Sequence, residues 1–136
     1  MNDKRLTETV AALREAITTR RSRRKYLPEP LETSAVDKLQ GLITEYNNTK
    51  ALDIRLVLDN GDAFAGFRRN YGMFSGVRNY IGLIGNKGDY REAEKLGYFG
   101  ELLVLHATAL GLGTCWVGGT FHRASCPFDL SEERNC

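Results

Sequence analysis

The sequence predicts one α+β domain spanning residues 1–136. Three segments carry apolar residues at the spacing of an amphipathic helix, and three shorter β-prone segments end at turns rich in glycine or asparagine. With 42% hydrophobic and 26% charged residues, the chain has the composition of a globular domain large enough to bury a core. No internal repeat, low-complexity tract or linker divides it.

The first predicted helix spans Thr7 to Thr19, where Val10, Leu13 and Ile17 recur at helical spacing. A basic loop follows and extends to Pro28-Glu-Pro30. The paired prolines prevent a helix from continuing through this segment.

The second predicted helix runs from Ser34 to about Tyr46, with a capping-box pattern at its start and Asn47-Asn48 at its end. The third runs from Tyr90 to Leu110, and Gly111 is placed to cap its C-terminus. It contains Gly97 and Gly100, and each costs a helix about 1 kcal/mol relative to alanine. We therefore expect close packing against that part of the helix.

The three predicted strands are Ile54–Leu58, Asn79–Ile84 and Thr114–Val117. Between the first two, residues 63–74 are aromatic and basic without a clear period, which predicts a loop with one short helical turn. The third lies in the glycine-rich segment Gly111–Gly119, which is either an uncovered backbone floor for a flat ligand or a turn packed with small residues.

Charge and cysteine content narrow the class of protein. A net charge of +2 is too small to indicate general affinity for nucleic acid or membranes. The sequence shows no signal-peptide pattern and no apolar run of membrane-spanning length. Cys115, Cys126 and Cys136 are odd in number and lack C-x-x-C spacing, which predicts free thiols and a cytoplasmic protein.

The final segment, Leu130–Cys136, has the pattern of the beginning of a structural element. It leads us to expect that the chain is the N-terminal portion of a larger protein.

The loop Arg20–Lys25 places five cations around Ser22. Arginine side chains bind phosphate bidentately, and a serine hydroxyl can donate to the same oxygens. Two other interpretations of the loop remain open. It can be a solvated helix end that the helix macrodipole favours, or a patch that binds nucleic acid.

Other candidate sites are weaker. Cys115, His122 and Cys126 do not match the spacing of a zinc site and lack a fourth ligand, so packing is the better interpretation and no metal is predicted. No catalytic triad is visible. Glu101 is predicted to be a structural carboxylate bonded to a backbone group or an arginine.

Four segments together resemble nitroreductase-like flavoproteins, and in particular the branch described as thermophile-type nitroreductases. They are Ile17–Tyr26, Gly76–Ile84, Glu94–Tyr98 and Leu110–Gly119. The resemblance extends from about Val10 to Cys126.

The resemblance implies an FMN-dependent oxidoreductase with an antiparallel sheet flanked by helices, incomplete at its C-terminus. In that family the N-terminal basic loop binds the FMN phosphate and ribityl chain, which carries over to Arg20, Arg21 and Ser22. Arg24 would lie near the ribityl chain or the pyrimidine edge of the flavin. The residues implied to run beside the isoalloxazine ring are Trp116, Val117, Gly118 and Gly119.

The chain also departs from the family. Many relatives have an acidic residue where Gly118 stands, so only backbone contacts remain at that position. Relatives continue beyond the equivalent of Cys136 with further basic phosphate ligands, and they build the flavin site between subunits. The resemblance therefore implies a homodimer, or a pseudo-dimer completed by a missing C-terminal half.

The leading functional hypothesis is hydride transfer from NAD(P)H through FMN to nitroaromatic or quinone-like acceptors in a ping-pong cycle. No catalytic side chain is predicted, because the cofactor carries the reaction. A second hypothesis is a degenerate flavin-fold protein that binds a nucleotide or a partner subunit without turnover. A third is a nucleic-acid module built on the basic loop.

Overall fold

The computed structural model of the chain describes residues 3–64, 75–118, 126–127, 130 and 134–136. Its elements, in order, are α1 (Asp3–Thr19), α2 (Thr33–Lys50), β1 (Asp53–Val57), a 3₁₀ turn (Asp62–Phe64), β2 (Tyr80–Asn86), α3 (Tyr90–Ala109) and β3 (Arg134–Asn135). This order confirms the predicted α+β class. None of the helices in these ranges combines the length and apolar character that a membrane span requires.

The sheet has the order β1-β2-β3, and both strand pairs are antiparallel. In its register Ile54 faces Leu83 and Leu56 faces Ile81. Since side chains alternate between the two faces of a strand, these four apolar residues share one face of the sheet. That face packs against α2 and α3 and forms the main core.

The main core consists mainly of apolar side chains from α2, α3 and the sheet. Ile43, Ile54 and Leu103 are each no more than 2% exposed. Its buried members are Leu39, Ile43, Tyr46, Leu52, Ile54, Leu96, Leu103 and Ala107. Removing apolar surface from water in this way stabilises the fold by about 25 cal/mol per Å².

A smaller cluster around Ala63 and Phe64 includes Tyr80, which alternates with Ile81 and so lies on the opposite face of β2. The Phe64 and Tyr80 rings meet edge to face with centroids 5.2 Å apart. Burial, and then the neighbouring Cys126 thiol, raise the pKa of Tyr80.

Helix α2 begins and ends differently from the prediction. Its N-cap is Glu32, whose side chain makes no capping hydrogen bond, so the predicted capping box at Ser34 is wrong. The helix also passes Asn47 and ends at Lys50, followed by Ala51 in the left-handed conformation (φ 54°). Asn47 does not end the helix, because its side chain bonds to the backbone of β1 instead.

Helix α3 ends as predicted, at a glycine cap. Gly111 has φ 83°, and its N–H donates to the Thr108 carbonyl at 3.0 Å. The Leu112 N–H donates to the Ala107 carbonyl at 2.9 Å. These two bonds form a Schellman motif, which satisfies the last carbonyls of the helix and turns the chain back towards the core.

Two strand predictions need correction. Residues 114–117 form no strand, and Thr114 makes only an isolated bridge. Strand β3, at Arg134–Asn135, was not predicted; it pairs with β2, which extends to Asn86 beyond its predicted end. The side chain of Arg134 also donates to Asp53 of β1 at 3.0 Å, so the C-terminal segment contacts β1 as well as β2.

Helix α1 packs against α3, and within α1 only Ala16 among the described residues is buried, at 2% exposed. The apolar residues that predicted this helix lie mostly on its outer surface. Val10 is 46% exposed and Ile17 is 62% exposed, and Leu6 is 50% exposed. One side of α1 is therefore apolar and uncovered by the described part of the chain.

Candidate functional site

The basic loop and the glycine-rich segment lie side by side. Ser22 and Thr114 form a parallel β-bridge, and the Arg23 N–H donates to the Thr114 carbonyl at 2.8 Å. The two segments that carry the sequence motifs are therefore in direct backbone contact, although they lie near opposite ends of the chain.

A cavity of about 180 Å³ lies beside this contact. The arginines Arg20, Arg21 and Arg23 contribute to its lining, whereas Ser22 and Arg24 do not. The remaining lining residues come from the ends of α1 and α3 and from the turn after α3: Thr19, Thr108, Gly111, Leu112 and Gly113.

Arg20 is the least solvated of the three arginines. Its Nε and Nη2 atoms are buried and have no hydrogen-bond partner. The Thr114 hydroxyl, at the bridge, is also buried without a partner. Burying charged or polar groups without partners is costly, and such groups are usually explained by a ligand, an ion or a water molecule.

Gly113 allows the arginines to approach the turn. A Cβ atom at this position would lie 2.9 Å from the Arg23 Cγ and 3.1 Å from its Cβ. A larger residue would push the Arg23 side chain away from the turn. The absence of a side chain at Gly113 thus brings one wall of the cavity close to the backbone.

The end of the basic loop is fixed by backbone and side-chain bonds. Lys25 and Ser75 form a second parallel bridge, and the Tyr26 N–H donates to the Ser75 carbonyl at 2.9 Å. The Tyr26 hydroxyl donates to the Arg23 carbonyl, and burial raises the pKa of Tyr26, with a smaller contribution from Cys115. Further on, Arg78 donates to the Pro28 carbonyl at 2.8 Å.

The predicted cofactor residues lie in different environments. Arg20 and Arg21 line the cavity, while Ser22 and Arg24 are exposed beside it, and the Arg24 carbonyl accepts from Ser75. Val117 packs against the small cluster around Phe64. Gly118 is exposed, with open space where a Cβ would lie, and Gly119 lies outside the described residues.

Trp116, one of the residues implied to run beside the isoalloxazine ring, contacts α3. It is 45% exposed, and its indole Nε1 donates to Glu101 Oε2 at 2.8 Å. Among the described residues Glu101 is bonded to an aromatic side chain, whereas the prediction named a backbone group or an arginine. Glu101 lies in α3, whereas Trp116 lies in the segment that follows this helix. Helical or strand periodicity therefore gave no indication of their contact.

Arg23 and Thr108 line the cavity although neither was predicted as a site residue. The cation cluster around Ser22 could have identified Arg23. No pattern in the sequence marks Thr108, which enters the lining because α3 ends beside the loop.

The described residues contain no group of three or more His, Cys, Asp or Glu side chains that could hold a metal ion. Cys115 and Cys126 are both half-buried and pack against the small cluster around Phe64, which fits the packing interpretation. His122, the third residue of the zinc interpretation, lies outside the described residues.

Comparison with protein families gives one match. The family model described as "Putative TM nitroreductase" matches residues 12–136. Comparisons with curated proteins and with solved structures give no significant match. Because the model covers most of the chain, including both the basic loop and the glycine-rich segment, the chain belongs to this nitroreductase-like family.

Proposed function

We propose that the protein is an FMN-dependent oxidoreductase that transfers hydride from NAD(P)H to nitroaromatic or quinone-like acceptors. The observation that carries the proposal is the Arg20 guanidinium beside the cavity, two of whose nitrogen atoms are buried without acceptors. A phosphate group supplies both the negative charge and the acceptor oxygens that this side chain needs.

The cavity suits the phosphate end of the cofactor. Arg21 and Arg23 add two further charges to the same lining, and arginine forks bind phosphate oxygens in pairs. From Gly113 at the cavity to Trp116 is three residues, at most about 10 Å of extended chain. This length is comparable with a ribityl phosphate, so one FMN molecule could contact both places.

Bound FMN would supply the hydride-transfer chemistry, which needs little acid–base assistance from the protein. The chain's own residues would bind and orient it. In this proposal Arg20, Arg21 and Arg23 hold the phosphate, the exposed Ser22 and Arg24 lie along the ribityl chain, and residues 116–119 support the ring.

The helix-end interpretation of the basic loop remains the main alternative. The C-termini of α1 and α3 both meet at the cavity, and their partial negative charge would stabilise a cation there without a ligand. However, the carbonyls of His106, Ala107 and Thr108 at the end of α3 already accept from backbone N–H groups. The Arg20 Nε and Nη2 atoms bond to none of them, so the helix end supplies charge but no acceptor.

The test is the binding of FMN to an Arg20→Met variant, with Arg14→Met as the matched control, since Arg14 is an exposed arginine on α1 outside the cavity. We expect Arg20→Met to weaken FMN binding at least tenfold, as measured by quenching of flavin fluorescence, and Arg14→Met to leave it unchanged. Unchanged binding in Arg20→Met would refute the phosphate assignment. Urea unfolding of both variants without FMN checks that they remain folded.

Turnover separates the proposal from a degenerate flavin-fold protein. NAD(P)H oxidation with a nitroaromatic acceptor, in the presence of saturating FMN, is expected for the oxidoreductase. Tight FMN binding without oxidation would indicate the degenerate alternative. If the protein instead binds a DNA oligonucleotide but not FMN, and if this binding weakens steeply with salt, the nucleic-acid alternative is indicated.

We also propose that two copies of the chain associate through α1. Leu6, Val10, Leu13 and Ile17 follow one another at intervals of four, three and four residues, the spacing of a seam between packed helices. Three of the four are between 46% and 62% exposed. A second copy offers the same stripe and would cover it symmetrically.

A further inference from the structure

Trp116 is held against α3 by two independent contacts. Its indole N–H donates to Glu101 Oε2 at 2.8 Å. Its ring also crosses Gly100, where an added Cβ would lie 2.8 Å from the Trp116 Cη2 atom. The same Cβ would lie 2.8 Å from Leu83 Cδ1, so the absence of a side chain at residue 100 makes room for both the Trp116 ring and Leu83.

The contacts leave part of the ring uncovered. Trp116 is 45% exposed although it packs on the helix and is tied at its nitrogen. A large apolar side chain that is half exposed gains little stability from burial. The hydrogen bond to the Glu101 carboxylate and the helix-weakening glycine at position 100 are therefore not explained by core packing of Trp116 alone. The arrangement orients the ring more than it stabilises the core.

We infer that Glu101 is a positioning residue, which together with Gly100 holds the Trp116 indole so that its open side meets a planar aromatic ligand. The inference rests on the proposed function, in which that ligand is the isoalloxazine ring of FMN. Aromatic rings stack favourably on such a surface, and the contact is stronger when the supporting ring is already fixed before binding.

The chain contains a matched control for Gly100. Gly97 is also a glycine inside α3, but it is exposed and nothing lies within 4 Å of where its Cβ would be. Gly97→Ala and Gly100→Ala thus make the same chemical change on the same helix. Only the second meets neighbouring side chains, the Trp116 ring and Leu83, so the Glu101 variants test the ring separately from Leu83.

The experiment uses the fluorescence of Trp116, the only tryptophan in the chain. Without FMN, Glu101→Ala and Gly100→Ala should shift the emission to longer wavelength and increase quenching by acrylamide. Glu101→Gln should behave like the unaltered protein, because the amide oxygen still accepts from the indole N–H. Gly97→Ala should also be unchanged. The Glu101 variants keep Gly100, so they still test the positioning of Trp116 if Gly100→Ala does not fold.

FMN affinity, followed by flavin fluorescence, is the second readout. We expect about a tenfold loss in Glu101→Ala, equivalent to about 1.4 kcal/mol, and recovery in Glu101→Gln. A purely structural role for Glu101 would change tryptophan emission while leaving FMN affinity unaltered, and that result overturns the inference. So does unchanged emission in Glu101→Ala.

The two proposals fail in different ways. If the unaltered protein does not bind FMN, the proposed function falls, and this inference falls with it. If it binds FMN and Glu101→Ala binds equally well, only the role of Glu101 is refuted.

Discussion

At the scale of single residues, Gly61 makes the closest backbone contact among the described glycines. A Cβ at Gly61 would lie 1.9 Å from the Val77 carbonyl oxygen, so one of two backbone segments must move. By contrast, nothing lies within 4 Å of a Cβ at Gly41, an exposed position inside α2.

We therefore expect Gly61→Ala to lower the free energy of unfolding by about 1–3 kcal/mol or more, as overpacking does elsewhere. Gly41→Ala should raise it by up to about 1 kcal/mol, because alanine favours the helix. Urea unfolding of both variants measures the difference. Equal stabilities would contradict the close approach of residues 61 and 77.

His106 gives stability a pH dependence. Burial, and then the charge of Lys38, lower its pKa below the usual value of 6.5. Because the unfolded chain binds the His106 proton more tightly than the folded chain, protonation favours unfolding. The contribution of neutral His106 to the free energy of unfolding is therefore present in full above pH 6.5 and is lost as pH falls through the lower, folded pKa.

The chain has two histidines, so a His122→Gln background leaves His106 as the only one that titrates. Between about pH 7.5 and pH 5.5 we expect this protein to lose stability to urea. The same protein with His106→Gln should lose less. Parallel pH profiles would show that His106 is equally easy to protonate in both states.

At the scale of elements, one side chain joins α2 to β1. Asn47 Nδ2 donates to the Ile54 carbonyl at 2.9 Å, and its Oδ1 accepts from the Ile54 N–H at 2.9 Å. These bonds occupy the backbone N–H and carbonyl groups of Ile54 in β1. In the described sheet, β1 pairs only with β2. Ile54 is 2% exposed, so water would satisfy these groups poorly.

Asn47→Ala should therefore lower the free energy of unfolding by about 1–3 kcal/mol, the cost of leaving buried polar groups without partners. The neighbouring Asn48 is exposed, and Asn48→Ala should change stability little. Denaturant unfolding of the pair provides the test. A similar loss in both variants would mean that the side chain of Asn47 is replaced by water at no cost.

The elements also show what a sequence can reveal. The helices were predictable because apolar periodicity and the glycine cap at Gly111 are local signals. Strand formation was harder to predict. The segment Thr114–Val117 has strand-like residues, but pairing needs a distant partner, and only Thr114 has one. Arg134–Asn135 pairs with β2 despite having no β-prone residues.

The candidate site was predictable in part for the same reason. The arginine cluster around Ser22 and the glycines near Thr114 stand out in the sequence, and they prove to be neighbours. The contact of Glu101 with Trp116, and the cavity lining from Thr108, depend on how α3 packs. No local pattern records that packing.

At the scale of the whole molecule, α1 is the element least covered by the rest of the described chain. If two copies pair through its apolar stripe, the mass measured by analytical ultracentrifugation should correspond to a dimer. Val10→Lys combined with Ile17→Lys should give a monomer, because the charges would be buried in the seam. Glu8→Lys with Thr18→Lys, at exposed polar positions of α1, should remain dimeric. A monomeric unaltered protein would refute the interface.

The bridge between Ser22 and Thr114 also has a kinetic consequence. Contacts between distant parts of a chain form late in folding, because closing a long loop costs entropy before any interaction compensates for it. The cavity beside this bridge would then be completed only after the transition state for folding. A bound anion should accordingly slow unfolding while leaving the refolding rate unchanged, so that occupancy would extend the lifetime of the native molecule without helping it to form.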